Sequence, residues 1–234
     1  MKKLNHSLLN LIIAALLLFS ISSAAQDCEP YIPMDEGVEF ETQSFNHKGK
    51  LQSTSKQKII SKTVNGGNLE ATIHSELYDK KDNLQSTLDY KIMCKDGVFM
   101  VDMSTMLDPE QTKEYQGADI IVDGDFLELP SVLTVGQSLN GGVLNVKIGS
   151  EEVTMLTIKV TVSNRKVEAK EKITTPAGTF ECYKISFDIE TRFIFKIKMT
   201  VKEWYSKGVG MVRTESYNKS GKMTGYTILT SFKN

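Results

Sequence analysis

Apolar and polar residues alternate with a period of two through most of the chain, the spacing that sends successive side chains to opposite faces of a β-strand. Val38, Phe40 and Thr42 oppose Glu39, Glu41 and Gln43. Leu84, Leu88, Tyr90, Ile92 and Cys94 share a parity against Gln85, Thr87, Asp89 and Lys91. Leu156, Ile158, Val160 and Val162 oppose Thr157, Lys159 and Thr161, after which the apolar set moves to the odd positions Val167, Ala169 and Ile173. A hairpin loop over Ser163-Asn164-Arg165-Lys166, pairing Val162 with Val167, would keep both sets on one face. The longest alternation runs from Tyr183 to Val201, with Ile185, Phe187, Ile189, Phe193, Phe195, Ile197 and Met199 on the apolar parity. One long bent strand, or two strands joined by an odd-length loop near Glu190 to Arg192, would preserve it.

Turn residues divide these runs at short intervals. Asn65-Gly66-Gly67, Lys95-Asp96-Gly97, Asn140-Gly141-Gly142 and Lys207-Gly208 supply positions that tolerate positive φ, and Thr175-Pro176-Ala177-Gly178 suits a type I turn followed by a left-handed glycine. One turn pattern recurs: an aromatic, then Asn or Asp, a polar loop and a returning apolar residue, over Phe45 to Leu51, Tyr78 to Leu84 and Tyr217 to Met223. A single helix signal interrupts the strands, with Asp108 as N-cap, Pro109 at the first helical position and Gly117 as terminator, predicting a short helix near 109–116. The expected class is all-β: a strongly curved antiparallel sheet forming a barrel or half-barrel, because a one-faced apolar sheet must curl or pack on a second sheet.

The first residues have a different character. Lys2 and Lys3 precede an almost continuous apolar run from Leu8 to Ile21 and a small-residue stretch, Ser22-Ser23-Ala24-Ala25, the layout of a secretory signal peptide. Asn10 and the serines shorten the run below the length of a membrane span. Cleavage is expected between Ala25 and Gln26, leaving one domain over 26–234 and no transmembrane segment in the mature chain. Lipidation at Cys28 is the weaker exported alternative, since Asp27 stands where a small residue is required. Three cysteines, Cys28, Cys94 and Cys182, fall after the cut, so one is left over. Cys94 ends a strand beside a turn whereas Cys182 lies inside one, and a terminal Cys28 reaches a sheet rim more readily, which predicts a Cys28 to Cys94 bridge.

The chain has 28 basic and 29 acidic side chains among 234 residues. This balance argues against a nucleic-acid binder. Catalytic and metal motifs are sparse. His74 and Glu76 could hold two corners of a metal site but lack a third ligand, and His47 sits in a turn. Asp119, Asp123, Asp125 and Glu128 surround Gly124 without EF-hand spacing, and they carry the only motive for a hydrolase. No nucleophile elbow, phosphate loop or Cys-x-x-Cys occurs. The sequence therefore leads to a non-enzyme with no cofactor. Its leading reading is a binding or carrier domain in which Phe187, Phe193, Phe195, Ile197 and Met199 hold an apolar small molecule or lipid; the same residues would serve equally as a filled core. Trp204 is either a ligand platform or a closing core residue. The alternative is a structural module meeting an envelope protein through loops such as Asn46 to Lys50.

Two segments, Thr174-Thr175-Pro176-Ala177-Gly178-Thr179-Phe180-Glu181-Cys182-Tyr183-Lys184-Ile185 and Trp204-Tyr205-Ser206-Lys207-Gly208-Val209-Gly210-Met211-Val212, together with Leu129-Pro130, Val135-Gly136 and Leu139, resemble a secreted or periplasmic bacterial family of unknown function, 3108-like. The resemblance implies a β-barrel in a Gram-negative-type envelope, either periplasmic or secreted, and transfers no catalytic residue. In architecture alone the chain is also similar to the half-barrel carriers of lipoproteins.

Overall fold

A computed structural model of the protein describes residues 31–106, 119–149 and 154–234. The predicted signal peptide, its cleavage site, Cys28 and the expected helix near 109–116 lie outside these residues. The strands are β1 (Glu39–Asn46), β2 (Leu51–Asn65), β3 (Asn68–Asp79), β4 (Leu84–Lys95), β5 (Val98–Asp102), β6 (Asp119–Gly124), β7 (Phe126–Pro130), β8 (Gly142–Gly149), β9 (Thr154–Thr175), β10 (Gly178–Arg192), β11 (Lys196–Ser206), β12 (Gly210–Asn218) and β13 (Met223–Lys233). A single 3₁₀ turn, Met103–Met106, follows β5. All pair antiparallel in one sheet of order β6-β8-β9-β10-β11-β12-β13-β1-β2-β3-β4-β5-β7, which curls into a nearly closed barrel.

The two edge strands, β6 and β7, are consecutive in the chain and meet at Asp125. Its backbone bridges the seam: the Met103 N–H donates to the Asp125 carbonyl, and the Asp125 N–H donates to Val143 O. Its carboxylate also accepts the Val143 N–H at 2.7 Å. Satisfying these backbone groups blunts what would otherwise be open sheet edges.

The apolar parity faces inward. Val38 and Phe40 of the first stretch are buried, as are Ile73 and Ile92 of β3 and β4, Leu144, Val146 and Ile148 of β8, and Ile185 and Phe187 of β10. The parity change after Val162 has a different cause from the hairpin expected there. β9 is one strand of 22 residues, and Val162 pairs with Ile189 while Val167 pairs with Ile185. Asn164 and Arg165 of β9 thus oppose the single Phe187 of β10, a bulge with Asn164 at φ 56°. The extra residue flips the side-chain alternation, so Val162 and Val167, at 2% and 0% exposure, both point inward. For the run from Tyr183 to Val201, the two-strand alternative holds: Arg192 pairs with Lys196 across a turn at residues 193–195.

The recurring turn is a real structural repeat. Asn46 Oδ1 accepts the N–H groups of Lys48 and Lys50, Asp79 Oδ1 those of Lys81 and Asn83, and Asn218 Oδ1 those of Ser220 and Lys222. The residue three positions on, Gly49, Asp82 or Gly221, takes positive φ in each. The side chain thus organises the loop backbone. Gly141 and Gly142 serve another purpose than the expected positive-φ turn. A Cβ on Gly141 would stand 2.2 Å from the Val162 carbonyl oxygen, and one on Gly142 would stand 2.6 Å from Met103 Sδ, so these glycines permit close approach of the seam to β9 and the 3₁₀ turn.

Candidate functional site: the barrel interior

The antiparallel order fixes which turns share an end of the barrel. The β1–β2, β3–β4, β10–β11 and β12–β13 turns lie at one end; the β2–β3, β4–β5, β9–β10 and β11–β12 turns lie at the other. The segment before β1 plugs the second end. Tyr31, Met34 and Val38 are buried there, Ile32 abuts Gly210, and the Tyr31 ring meets Tyr205 edge-on with centroids 6.4 Å apart.

Behind this plug is an interior cavity of about 310 Å³. Its apolar lining comes from Phe40, Leu77, Leu88, Tyr90, Ile92, Val101 and Leu229, and its polar lining from Thr42, Ser55, Gln57, Ser75 and Ser86. The cause is legible strand by strand. Pairing places Leu77 opposite Ser86 and Ser75 opposite Leu88, so small hydroxyl residues occupy inward positions where large apolar ones would fill the barrel. Ser55 and Ser75 hydroxyls approach to 3.4 Å, and the Gln57 amide donates toward Ser75 Oγ at 3.4 Å. These long contacts leave hydrogen-bonding capacity directed at the cavity.

Between this space and the packed side of the barrel lies a polar cluster. Glu203 and Tyr205 share the inward parity of β11, where they pair with Ile185 and Tyr183, and the Tyr205 hydroxyl donates to the Glu203 carboxylate. Burial pushes the Glu203 carboxyl above its ordinary range, opposed by that hydrogen bond and by the charge of Arg165. The Tyr205 phenol is raised by burial and by the Glu203 charge. Arg165, carried inward just after the Asn164 bulge, donates through one terminal nitrogen to Glu128 O at 3.0 Å and Asn140 O at 2.6 Å. Its guanidinium therefore ties β9 to edge strand β7 and to the loop before β8. Its Nε is buried without a partner.

The residues expected to form an apolar binding face separate in the structure. Phe187 is buried in the core, and Met199 is half-buried and packs against that core. Phe193 is half-buried, whereas Phe195 and Ile197 are exposed. None of them lines the cavity. Trp204 points to the other face of β11, into a small cluster with Cys182 and Val212. Its indole N–H donates to Glu171, and Lys184 and Arg213 lie over its ring at 5.3 and 5.9 Å. Cys182 is a free buried thiol, raised to about 11 by burial and the Glu171 charge, which leaves it inert as a nucleophile.

The remaining candidates are placed as follows. His74 lies on the outer face with Nδ1 2.5 Å from Asp89 and Nε2 3.9 Å from Glu76. Asp123 lies on β6, Asp125 braces the seam, and Glu128 accepts the Asn140 side-chain amide at 3.1 Å. Among the described residues no group of three or more His, Cys, Asp or Glu side chains is placed to hold a metal ion, and no helix is long and apolar enough to cross a membrane.

A family model, DUF3108-like, matches residues 35–229. The chain belongs to the DUF3108-like family. Two crystal structures share its fold: a "putative lipoprotein" of Parabacteroides distasonis ATCC 8503, at 24% identity and TM-score 0.75, and a "putative exported protein with YmcC-like fold" of Bacteroides fragilis NCTC 9343, at 21% identity and TM-score 0.74. Each match covers 88% of this chain and 100% of the other. No curated protein matches. The barrel is thus an architecture shared with these two proteins.

Proposed function

We propose that this DUF3108-like chain is an exported, non-enzymatic binding or carrier domain of a Gram-negative-type envelope, whose barrel interior holds a small molecule or lipid with an apolar body and a polar end. The observation that carries this reading is the cavity itself: Ser55, Ser75 and Ser86 stand at inward positions, beside the apolar walls of Leu77, Leu88 and Tyr90. Apolar walls with a few converging polar groups are the usual composition of a ligand pocket, and about 310 Å³ falls at the small end of the range for such sites. Export is supported by the N-terminal pattern of a positive start, an apolar run and small residues, and by the names of the two structural relatives. In that compartment Cys28 and Cys94 form a disulfide, with Cys182 as the remaining buried thiol. Non-reducing peptide mapping that found Cys182 bridged would overturn the pairing.

The test is occupancy. Protein purified from the envelope fraction is extracted with organic solvent and analysed by mass spectrometry, beside a Ser75→Phe, Ser86→Phe variant that fills the cavity. A species enriched with the unaltered protein and lost from the folded variant is the expected result. An empty extract, together with no uptake of a fluorescent fatty-acid probe, overturns the proposal.

A further inference from the structure

We propose that the end of the barrel bearing the β10–β11 turn docks on an anionic lipid bilayer, with Phe193, Ile194 and Phe195 as the inserting tip. These three residues form the turn beyond the Arg192–Lys196 pair. Ile194 is 85% exposed and Phe195 58%, with the Phe193 ring tilted against Phe195 at a centroid distance of 4.2 Å; Ile197 continues the apolar surface at 41% exposure. A hairpin tip is the place where a polar residue costs nothing, and the three other turns described at this end are entirely polar. Three successive large apolar residues there are unfavourable in water and favourable in an acyl layer.

The surroundings of the tip specify the kind of layer. Arg192, Lys196 and Lys198 flank it, and all three reach one acid, Glu190, while Lys159 pairs with Arg192 from β9. The other described turns at the same end each present two exposed lysines: Lys48 and Lys50, Lys80 and Lys81, Lys219 and Lys222. Their acids are Asp79, whose carboxylate faces its own turn's amides, and Asp82. The opposite end has no comparable excess, its turns carrying Lys95 and Lys207 with Asp96. A ring of long basic side chains around an apolar tip matches anionic headgroups over acyl chains, since each charge near such a surface adds attraction and the aliphatic stems remain in the interface. The same ring disfavours a second copy as the occupant, because tip-to-tip contact would oppose two basic surfaces. The inference does not depend on what the cavity holds.

The experiment uses the chain from Gln26, which retains every strand described, and vesicles of equimolar phosphatidylcholine and phosphatidylglycerol. The protein is expected to co-sediment with them, to be released by high salt and to ignore pure phosphatidylcholine. Replacing the tip by serine (F193S, I194S, F195S) leaves the thermal midpoint within a few degrees and lowers partitioning by about tenfold or more. A Phe195→Trp reporter shifts to the blue and is quenched by brominated acyl chains, while Trp204 in the unaltered protein is not. Equal partitioning of the serine variant, or an unmoved reporter, overturns the proposal. So does a dimer in sedimentation velocity that the serine variant abolishes without any vesicle binding by the unaltered protein, which would assign the tip to a second copy.

Discussion

The barrel wall contains two regions built on the same alternation and finished differently. In β8, β9 and β10 the inward residues include Leu144, Val146 and Ile148, then Val160, Val162 and Val167, then Ile185 and Phe187, these eight all at 8% exposure or less. In the parts of β1 to β4 nearer the lysine-rich turns, the inward residues include Thr42, Ser55, Gln57, Ser75 and Ser86, and a cavity remains. Both regions pair equally well along their backbones, so hydrogen bonding does not distinguish them. Side-chain size at inward positions does. The filled region supplies the burial that holds the sheet, while the open region trades burial for space. Burial and free volume are thereby assigned to different strands of one sheet.

The largest expected contrast is in truncation. Leu144→Ala removes a fully buried side chain from the filled wall and should cost about 3 kcal/mol, the transfer loss plus a new cavity. Leu88→Ala removes one already 39% exposed beside the existing cavity, and should cost under about 1 kcal/mol because little packing is lost. Urea denaturation of both variants checks the pair. Equal losses would mean that the cavity wall is packed as tightly as the opposite one.

Enlargement should give the reverse asymmetry, at a smaller scale. Val146→Phe overfills the closed wall and is expected to cost about 2 kcal/mol. Ser75→Leu places its methyl groups in free volume, with a change of about 0.5 kcal/mol or less. Thermal midpoints measured side by side read the difference, and a Ser75→Leu protein that unfolds as readily as Val146→Phe would abolish the distinction between the walls.

The fold was largely legible in the sequence because alternation and turn chemistry are local properties. Val38, Phe40 and Thr42 reveal a strand with an inner face whatever they pack against, and the Asn or Asp at 46, 79 and 218 organises its own loop. The bulge at Asn164 was not legible in the same way. A shift of parity has two local solutions, a hairpin or an extra residue, and the partner strand β10 selects between them by offering Ile189 and Ile185 in one continuous ladder. The site was less accessible still. A run of large apolar residues draws attention to Phe187 through Met199, yet a filled wall and a wall that leaves space are distinguished by what is missing. The available signal was Ser86, the small polar residue that interrupts the parity of Leu84, Leu88, Tyr90 and Ile92, with Ser75 and Ser55 repeating it on adjacent strands. Their convergence depends on register, which the sequence of one strand does not specify.

The smallest expected effect concerns the boundary between the two walls, where Glu203 faces inward from β11. Burial raises its carboxyl above the ordinary 4.5, so the native state holds this proton over a pH interval in which the unfolded chain has released it. Stability should therefore be fully present below about pH 4.5 and decline as pH rises through the folded value. Arg165 and the Tyr205 hydroxyl oppose the shift, which keeps the decline modest. Glu203→Gln retains the shape and removes the titration. The difference between the two unfolding free energies, followed by denaturant titration from acid to neutral pH, should move in favour of the variant as pH increases. A difference that stays constant across that interval would show that the carboxylate is fully compensated by Arg165, and that the boundary is as well solvated electrostatically as the open wall beside it.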